Sequence, residues 1–107
     1  MYYFYLWTNH LGRTCFGITG NPEGRRRKYE GHCGHAVKFE RLYEGRQTLI
    51  EDLEDSIKSE FYEHLLDTGA GKYEWILDVP SEQVFGWVEW EVNNSYASQI
   101  AAIEHDV

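Results

Sequence analysis

The sequence is poor in several features that define specialised classes of protein. It contains two cysteines and two prolines in 107 residues. Two cysteines cannot build the disulfide framework of a small secreted domain. The scarcity of proline leaves long stretches of chain available for helices and strands. No run approaches the roughly 20 apolar residues that a membrane-spanning helix needs, so we expect no membrane partner.

A secretory leader is also missing from the pattern. Residues 1–7 are apolar, but their aromatic side chains alternate as in a strand and no basic segment precedes them. This arrangement does not fit a signal peptide. We therefore expect a cytoplasmic protein whose cysteines stay reduced.

Basic side chains are scarce overall, which by itself argues against a nucleic-acid partner. Ten Lys and Arg stand against 18 Asp and Glu, giving a net charge of −8. Residues 1–46, however, hold eight basic and four acidic side chains, whereas residues 47–107 hold two basic and fourteen acidic ones. A phosphate-binding surface is therefore expected in the basic half. The acidic half fits a solvated surface, a protein-partner or homodimer site, or a device that limits loose DNA binding.

The abundant residues indicate one folded domain. Apolar side chains make up 42% of the sequence and aromatic ones 16%. That content is enough to bury a core in a chain of this length, and it excludes a disordered segment. We treat residues 1–107 as a single domain.

Residue patterning predicts an α/β fold. Two aromatic strands, at residues 2–8 and 13–19, flank a polar turn. Asn21 and Pro22 are suited to the start of a short helix over residues 25–30. A third strand is predicted at residues 36–43. Apolar residues recur every four positions through residues 47–66, which is typical of a helix.

The residue pattern of the last third of the chain predicts a β extension. Strands are expected at residues 73–79 and 84–92, and a terminal helix at residues 93–105. The predicted architecture is thus a small central three-stranded antiparallel sheet flanked by helices, with a C-terminal β extension.

Two short segments of the first hairpin carry a family pattern. Residues 3–7 read YFYLW, and after the polar turn residues 15–19 read CFGIT. This hairpin resembles that of the small stand-alone GIY-YIG nucleases. Tyr5 takes the place of the tyrosine in the first half-motif, and Gly17 that of the glycine in the second.

The resemblance continues over roughly residues 2–66. Arg25 stands eight residues after Gly17, as the catalytic arginine of the family does, and Tyr29 stands four residues further on. Residues 53–58, LEDSIK, are similar to the helix motif that supplies the metal-binding glutamate, here Glu54. Residues 1–69 are the motif-bearing core, whereas residues 70–107 match no part of the family pattern.

The resemblance implies a hydrolase: an endonuclease that cuts phosphodiester bonds of DNA with Mg²⁺ or Mn²⁺. Glu54 would hold the metal ion, which can act as a Lewis acid and needs few protein ligands. Arg25 would grip phosphate oxygens. Tyr5 would orient or deprotonate the attacking water, Tyr29 would position the phosphate or its water, and Gly17 would allow close approach of the backbone.

The chain departs from the family at two positions. Cys15 replaces the tyrosine of the second half-motif and so enters the catalytic set, and Tyr3 replaces the glycine of the first. One hypothesis is that another base substitutes for the lost tyrosine; another is a catalytically weak nucleic-acid-binding module. The candidate substrate-binding residues are Arg26, Arg27, Lys28, His32, His35 and Lys38, of which the two histidines and Lys38 could serve as that base. The compact size suits a phage or mobile-element enzyme.

Other interpretations of single residues stay open. His32, Cys33 and His35, with Cys15 or His10, invite a zinc site, although their spacing is cramped. The loop that holds these residues also suits closure over a substrate. Cys15 with a histidine could act as a nucleophile. Trp75, Trp87 and Trp90 are expected to fill a second packing layer, or alternatively to stack on bases.

Overall fold

The computed structural model describes residues 1–66 and 75–103. Over these residues the chain is α/β, with one antiparallel sheet and three α-helices. The sheet has five strands rather than the predicted three, in the order β4-β2-β1-β3-β5. The elements are β1 (Tyr2–Thr8), β2 (Thr14–Thr19), α1 (Pro22–Cys33), β3 (Arg41–Gly45), α2 (Gln47–Glu60), a 3₁₀ turn (Tyr62–His64), β4 (Trp75–Ile76), α3 (Ser81–Ser95) and β5 (Ala101–Ala102).

The β1–β2 hairpin forms as the sequence predicts. Asn9 organises its turn, because its side-chain oxygen accepts hydrogen bonds from the backbone N–H groups of Leu11 and Arg13, at 2.9 and 3.0 Å. Gly12 completes the turn at φ 78°, a conformation that suits glycine. The register places Tyr5 directly opposite Gly17.

Helix α1 begins where expected but is longer than the predicted residues 25–30. The Asn21 side chain accepts a hydrogen bond from the N–H of Gly24, and Pro22 occupies the first turn. Both features are favourable at a helix start. The helix ends at Gly34, whose left-handed conformation at φ 72° is the usual glycine cap.

Strand β3 starts later than predicted. The expected strand covered residues 36–43, whereas the observed one begins at Arg41. The reason is that Val37 is held by α1: its N–H donates to Glu30 at 2.8 Å, and its carbonyl accepts from Arg26 at 3.4 Å. Val37 and Phe39 are nevertheless buried, as the alternating pattern indicated.

The C-terminal third differs most from the prediction. The segment expected as a strand at residues 84–92 lies within helix α3. Of the terminal helix expected at residues 93–105, residues 93–95 form the end of α3, and a turn and β5 follow in the described part. Val84, Val88 and Val92 lie four residues apart on the buried side of α3, so helical packing overrides the β preference of valine. The strand expected at residues 73–79 is reduced to β4 in its described part, and α2 ends at Glu60 instead of residue 66.

Alternation along the strands separates two packed layers. Phe4, Leu6 and Phe16 face α2 and α3, forming one core with the buried apolar side chains of those helices. Tyr5 and Trp7 face the opposite side, where Tyr29 of α1 and the residues before β3 cover them. Helices α2 and α3 therefore lie on one face of the sheet and α1 on the other. Each fully buried large apolar side chain in these layers contributes about 1.5–3 kcal/mol to stability.

The two layers also separate charge. Exposed acidic side chains line the outer surfaces of α2 and α3, whereas the basic run of residues 25–28 belongs to α1.

Helix α3 is the longest described, with 15 residues. None of the helices within residues 1–66 and 75–103 has the length and apolar content to cross a membrane.

Candidate active site

Tyr5 and Gly17 form the floor of the candidate site. Tyr5 is fully buried in the central strand, and Gly17 lies opposite it on β2. A Cβ atom built on Gly17 would collide with the Tyr5 hydroxyl. Because strands present alternate residues to one face, only a glycine at this position lets the phenol lie across the neighbouring strand.

Helix α1 brings two further side chains to this phenol. The hydroxyls of Tyr5 and Tyr29 are hydrogen-bonded at 2.7 Å. The guanidinium of Arg25 donates to the Tyr5 hydroxyl at 3.5 Å. Arg25 and Tyr29 are four residues apart, so they lie one helical turn apart on the same face of α1. The resemblance implied a site that includes Tyr5, Gly17, Arg25 and Tyr29, and the structure places these four in contact.

Aromatic rings hold the two phenols in place. Phe39 stacks on Tyr5 with ring centroids 4.4 Å apart and planes 11° apart. Tyr29 meets Tyr5 edge-on at 5.9 Å, and Trp7 lies against Tyr29 at 5.2 Å. Offset-stacked and edge-to-face contacts of this kind contribute about 0.5–1.5 kcal/mol each beyond area burial. Phe39 was predicted only as a strand residue, and no signal in the sequence assigned it to the site.

The environment keeps Arg25 charged. Burial alone would lower the pKa of its guanidinium, but the nearby oxygens of Tyr5 and then Tyr29 outweigh that effect and raise it. A partly buried cation beside two phenol oxygens is suited to holding negative charge. The arrangement can therefore stabilise a phenolate at Tyr5 or an anionic oxygen brought next to it.

Cys15 lies in the same layer, two residues before Gly17 on β2. It is 1% exposed and sits opposite Trp7 in the β1–β2 register. Its Sγ is 3.8 Å from the carbonyl oxygen of Arg13, a weak hydrogen bond. Burial in an apolar layer disfavours a reactive thiolate, so the nucleophile interpretation of Cys15 gains no support.

The basic run on α1 is partly engaged within the helix. Arg26 forms ion pairs with Glu23 at 2.6 Å and Glu30 at 2.9 Å. Arg27 also reaches Glu23, at 3.2 Å. The hydrogen bond with Arg26 is the main reason that the pKa of Glu23 is lowered. Arg26 therefore fastens α1 to the following segment, while Arg27 and Lys28 remain exposed to solvent.

The remaining candidate substrate-binding residues lie at the end of α1 and just after it. His32, His35 and Lys38 are all exposed. The ring of His35 lies 4.9 Å from that of His10 at the hairpin turn. Within residues 1–66 and 75–103, no group of three or more histidine, cysteine or acidic side chains could hold a metal ion. The zinc interpretation therefore gains no support from the described part of the chain.

Glu54 comes from α2, the helix on the other face of the sheet. Its side chain is 20% exposed, and its Oε1 is 3.5 Å from Nζ of Lys58. One partly exposed carboxylate fits Mg²⁺, which keeps several waters and takes one or two carboxylates plus substrate phosphate. Lys58 is a competing cation at this carboxylate.

The three tryptophans assigned to a second packing layer have different environments. Trp87 meets Phe61 edge-on at 5.7 Å, in the layer of α2 and α3. Trp75 packs in the layer of Tyr5 and Trp7. Trp90 is 58% exposed and lies outside the core. The packing interpretation thus holds for Trp87 and Trp75.

Comparison with known proteins adds no assignment. No protein-family model, curated protein or solved structure matches this chain. We therefore infer function from the geometry of this chain's own residues.

Proposed function

We propose that the protein is a metal-dependent endonuclease of the GIY-YIG type, hydrolysing phosphodiester bonds of DNA. The observation that carries this proposal is the contact of Tyr5 with Tyr29 and Arg25, above a glycine that no other residue could replace without a clash. These are the residue types and spacings of the resemblance, and they meet in one cluster. An ordinary aromatic core would not need a guanidinium against its phenols.

In this mechanism Arg25 holds a phosphate oxygen and stabilises the negative charge that grows on it. Its second contact, to the fully buried Tyr5 hydroxyl, holds that phenol in place, so that Tyr5 orients or deprotonates the attacking water through the half-buried Tyr29 hydroxyl bonded to it. Tyr29 hydrogen-bonds to Tyr5 and can accept or relay the proton. Glu54 would hold the metal ion, which supplies Lewis-acid chemistry when bound. Because α2 covers the face of the sheet opposite to α1, the direct contact to the phosphate is assigned to Arg25 alone.

Charge distribution supports a nucleic-acid substrate. Arg27 and Lys28 are exposed on the helix that carries Arg25, and Lys38 is exposed on the segment bound to it. The acidic side chains of α2 and α3 lie on the other layer. A backbone phosphate is thus drawn toward α1 and repelled from the opposite side.

A catalytically weak DNA-binding module is the second candidate, and the buried Cys15 favours it. The buried thiol of Cys15 does not extend as far as the phenol that it replaces, so it cannot make the contact of that phenol with the substrate. In that case the parent protein would bind DNA with the steep salt dependence of phosphate contacts, and would not cut it.

The test is a nicking assay on supercoiled plasmid and branched DNA with Mg²⁺ or Mn²⁺. Arg25→Ala and Glu54→Ala should each lower the rate at least a hundredfold, by the typical loss of one transition-state contact or metal ligand. Arg46→Ala and Glu51→Ala are matched controls, since both remove exposed charges outside the cluster. Absence of cleavage by the parent with either metal would exclude the nuclease, and equal cleavage by parent and Arg25→Ala would exclude the proposed site.

A further inference from the structure

A cleft lies beside the candidate site. It has a volume of about 250 Å³ and is bounded by the hairpin turn, the end of α1 and strand β4. Among its lining residues are Trp7, Asn9, His10, Cys33, His35 and Trp75. Pockets for drug-sized ligands are usually about 300–1,000 Å³, so this cleft suits a smaller, single ring system.

Strand register places this cleft next to the phenol cluster. Trp7, Cys15 and Trp75 lie side by side across β1, β2 and β4, on the face that also carries Tyr5. The row of Tyr5 and Gly17 is two residues further along the strands, which is about 7 Å. A nucleotide neighbouring the bound phosphate would therefore come within reach of the cleft.

The walls of the cleft are suited to a flat ring. Trp7 and Trp75 supply two indoles, and His10 and His35 supply two imidazoles whose centroids are 4.9 Å apart. Every base has a face that can stack on such rings. Among the described lining residues none carries a carboxylate, so this part of the wall presents no negative side chain to the carbonyl and ring-nitrogen acceptors of a base.

Two lining residues carry buried hydrogen-bond donors that lack an acceptor. These are Nε1 of Trp7 and Nδ2 of Asn9, the two buried side-chain polar atoms without a partner in the described part of the chain. An unsatisfied buried donor costs about 1–3 kcal/mol, which a ligand acceptor would recover. Neighbouring atoms cover both donors, so an acceptor reaches them only when a lining side chain turns aside. The exposed rings of His10 and His35 can change rotamer on a picosecond to nanosecond timescale.

We propose that this cleft binds one unpaired nucleobase of the DNA substrate, next to the phosphate held by Arg25. This inference rests on the proposed nuclease function and narrows its substrate class to DNA with an unpaired or extruded nucleotide at the cut. Trp75 contacts the face of the base, and the donors of Trp7 and Asn9 bind its acceptors. A base already unpaired is favoured because extrusion from a duplex costs a few kcal/mol.

The experiment uses a duplex with a single unpaired 2-aminopurine, and the same duplex with an abasic site at that position. Binding is measured by titration in EDTA, and stacking by quenching of the 2-aminopurine fluorescence. The parent should bind the base-bearing duplex about tenfold more tightly than the abasic one, as expected for one stacked base. His35→Ala and Trp75→Ala should bring that ratio close to one and relieve the quenching.

Matched variants distinguish the loss of base binding in the cleft from a general effect of substitution on the fold. Trp7→Phe keeps a ring and removes one buried donor, so it should lower the ratio by less than Trp75→Ala does. His64→Ala and Trp90→Phe change an exposed histidine and an exposed tryptophan away from the cleft, and should keep the parental ratio. Thermal melting establishes that each variant is folded, and the exposure of His35 makes that variant a safe choice.

The outcomes distinguish the two proposals. If the parent cuts duplex DNA with Mg²⁺ but binds base-bearing and abasic DNA equally, the nuclease stands and the base pocket is wrong. A base preference that His35→Ala and Trp75→Ala leave intact also overturns the pocket, since the base then stacks elsewhere. If the parent binds without cutting and these variants abolish the preference, the pocket is supported and the nuclease fails. If the parent neither binds nor cuts, both fail.

Discussion

Gly17 and Tyr5 face each other across the central strand pair, with the Tyr5 hydroxyl in the space that any other side chain at position 17 would occupy. The glycine of the second half-motif is thus a direct consequence of where the phenol lies. This relationship links a sequence pattern to a contact that a single substitution can test.

Gly17→Ala should push the Tyr5 hydroxyl away from Arg25 and Tyr29. We expect DNA cleavage to fall by about a hundredfold, as for a displacement of about 1 Å in a reacting group. Gly31→Ala is the matched control, because Gly31 lies within α1 with open space around it. The control should keep its activity and gain about 0.5–1 kcal/mol of stability. Parental cleavage by a folded Gly17→Ala protein would mean that the position of the phenol does not matter.

The pair of phenols should act as one unit. Tyr5→Phe and Tyr29→Phe keep the ring contacts and remove one hydroxyl each, so each should lower the cleavage rate about 10²–10⁴-fold, the range for a lost acid–base group. Because the two hydroxyls are hydrogen-bonded at 2.7 Å, the double variant should be scarcely slower than the worse single one.

The measurement is a double-mutant cycle. Cleavage rates are compared at saturating metal for the parent, the two single variants and the double variant. Tyr62→Phe removes an exposed hydroxyl and serves as the control. Losses that multiply in the double variant would show that Tyr5 and Tyr29 act independently and that their hydrogen bond has no catalytic role.

Local signals predicted the half of the fold that holds the cluster. The alternation of aromatics fixed the hairpin, and Asn21 with Pro22 marked the start of α1. These features act between residues close in sequence, which is why they can be read without the structure. The spacing of Arg25 and Tyr29 placed both on one face of a helix for the same reason.

The wrong predictions concern α3 and the start of β3, whose structure depends on contacts between residues that are distant in sequence. The spacing of Val84, Val88 and Val92 was a helical signal, but the surrounding tryptophans and valines favoured a strand. Burial against the sheet and α2 settled that conflict in favour of the helix. In the same way, the hydrogen bonds of Val37 with Glu30 and Arg26 make β3 begin later than predicted. Neither hydrogen bond could be predicted from the local sequence pattern.

Acid should weaken α1 through Glu23. The hydrogen bond from Arg26, together with the charges of Arg26 and Arg27, lowers the pKa of this carboxyl below its ordinary value of 4.5. A carboxyl whose pKa is lower in the folded than in the unfolded state stabilises the fold at any pH above its ordinary pKa. That stabilisation is lost as the pH falls through the pKa of the folded state. The Tm difference between parent and Glu23→Gln should therefore be largest at neutral pH and shrink in acid.

Thermal melts from neutral pH to well below 4.5 measure this difference. Glu82→Gln is the matched control, because it also removes a carboxylate from the first turn of a helix and so reproduces the loss of the helix-dipole contribution. A Tm difference for Glu23→Gln that is the same at every pH would show that its ion pairs with arginine do not stabilise α1.

Lys58 should compete with the metal ion for Glu54. Its Nζ lies 3.5 Å from the Glu54 carboxylate, one turn along α2. Exposed ion pairs of this kind contribute about 0.2–1 kcal/mol, so Lys58→Ala should lower the Mg²⁺ concentration for half-maximal cleavage by about 1.4- to fivefold. Metal titrations of the cleavage rate test this, with Lys58→Arg as the charge-conserving control that should need as much Mg²⁺ as the parent. If Lys58→Ala instead needs more Mg²⁺ than the parent, Lys58 orients the Glu54 carboxylate toward the metal rather than competing for it.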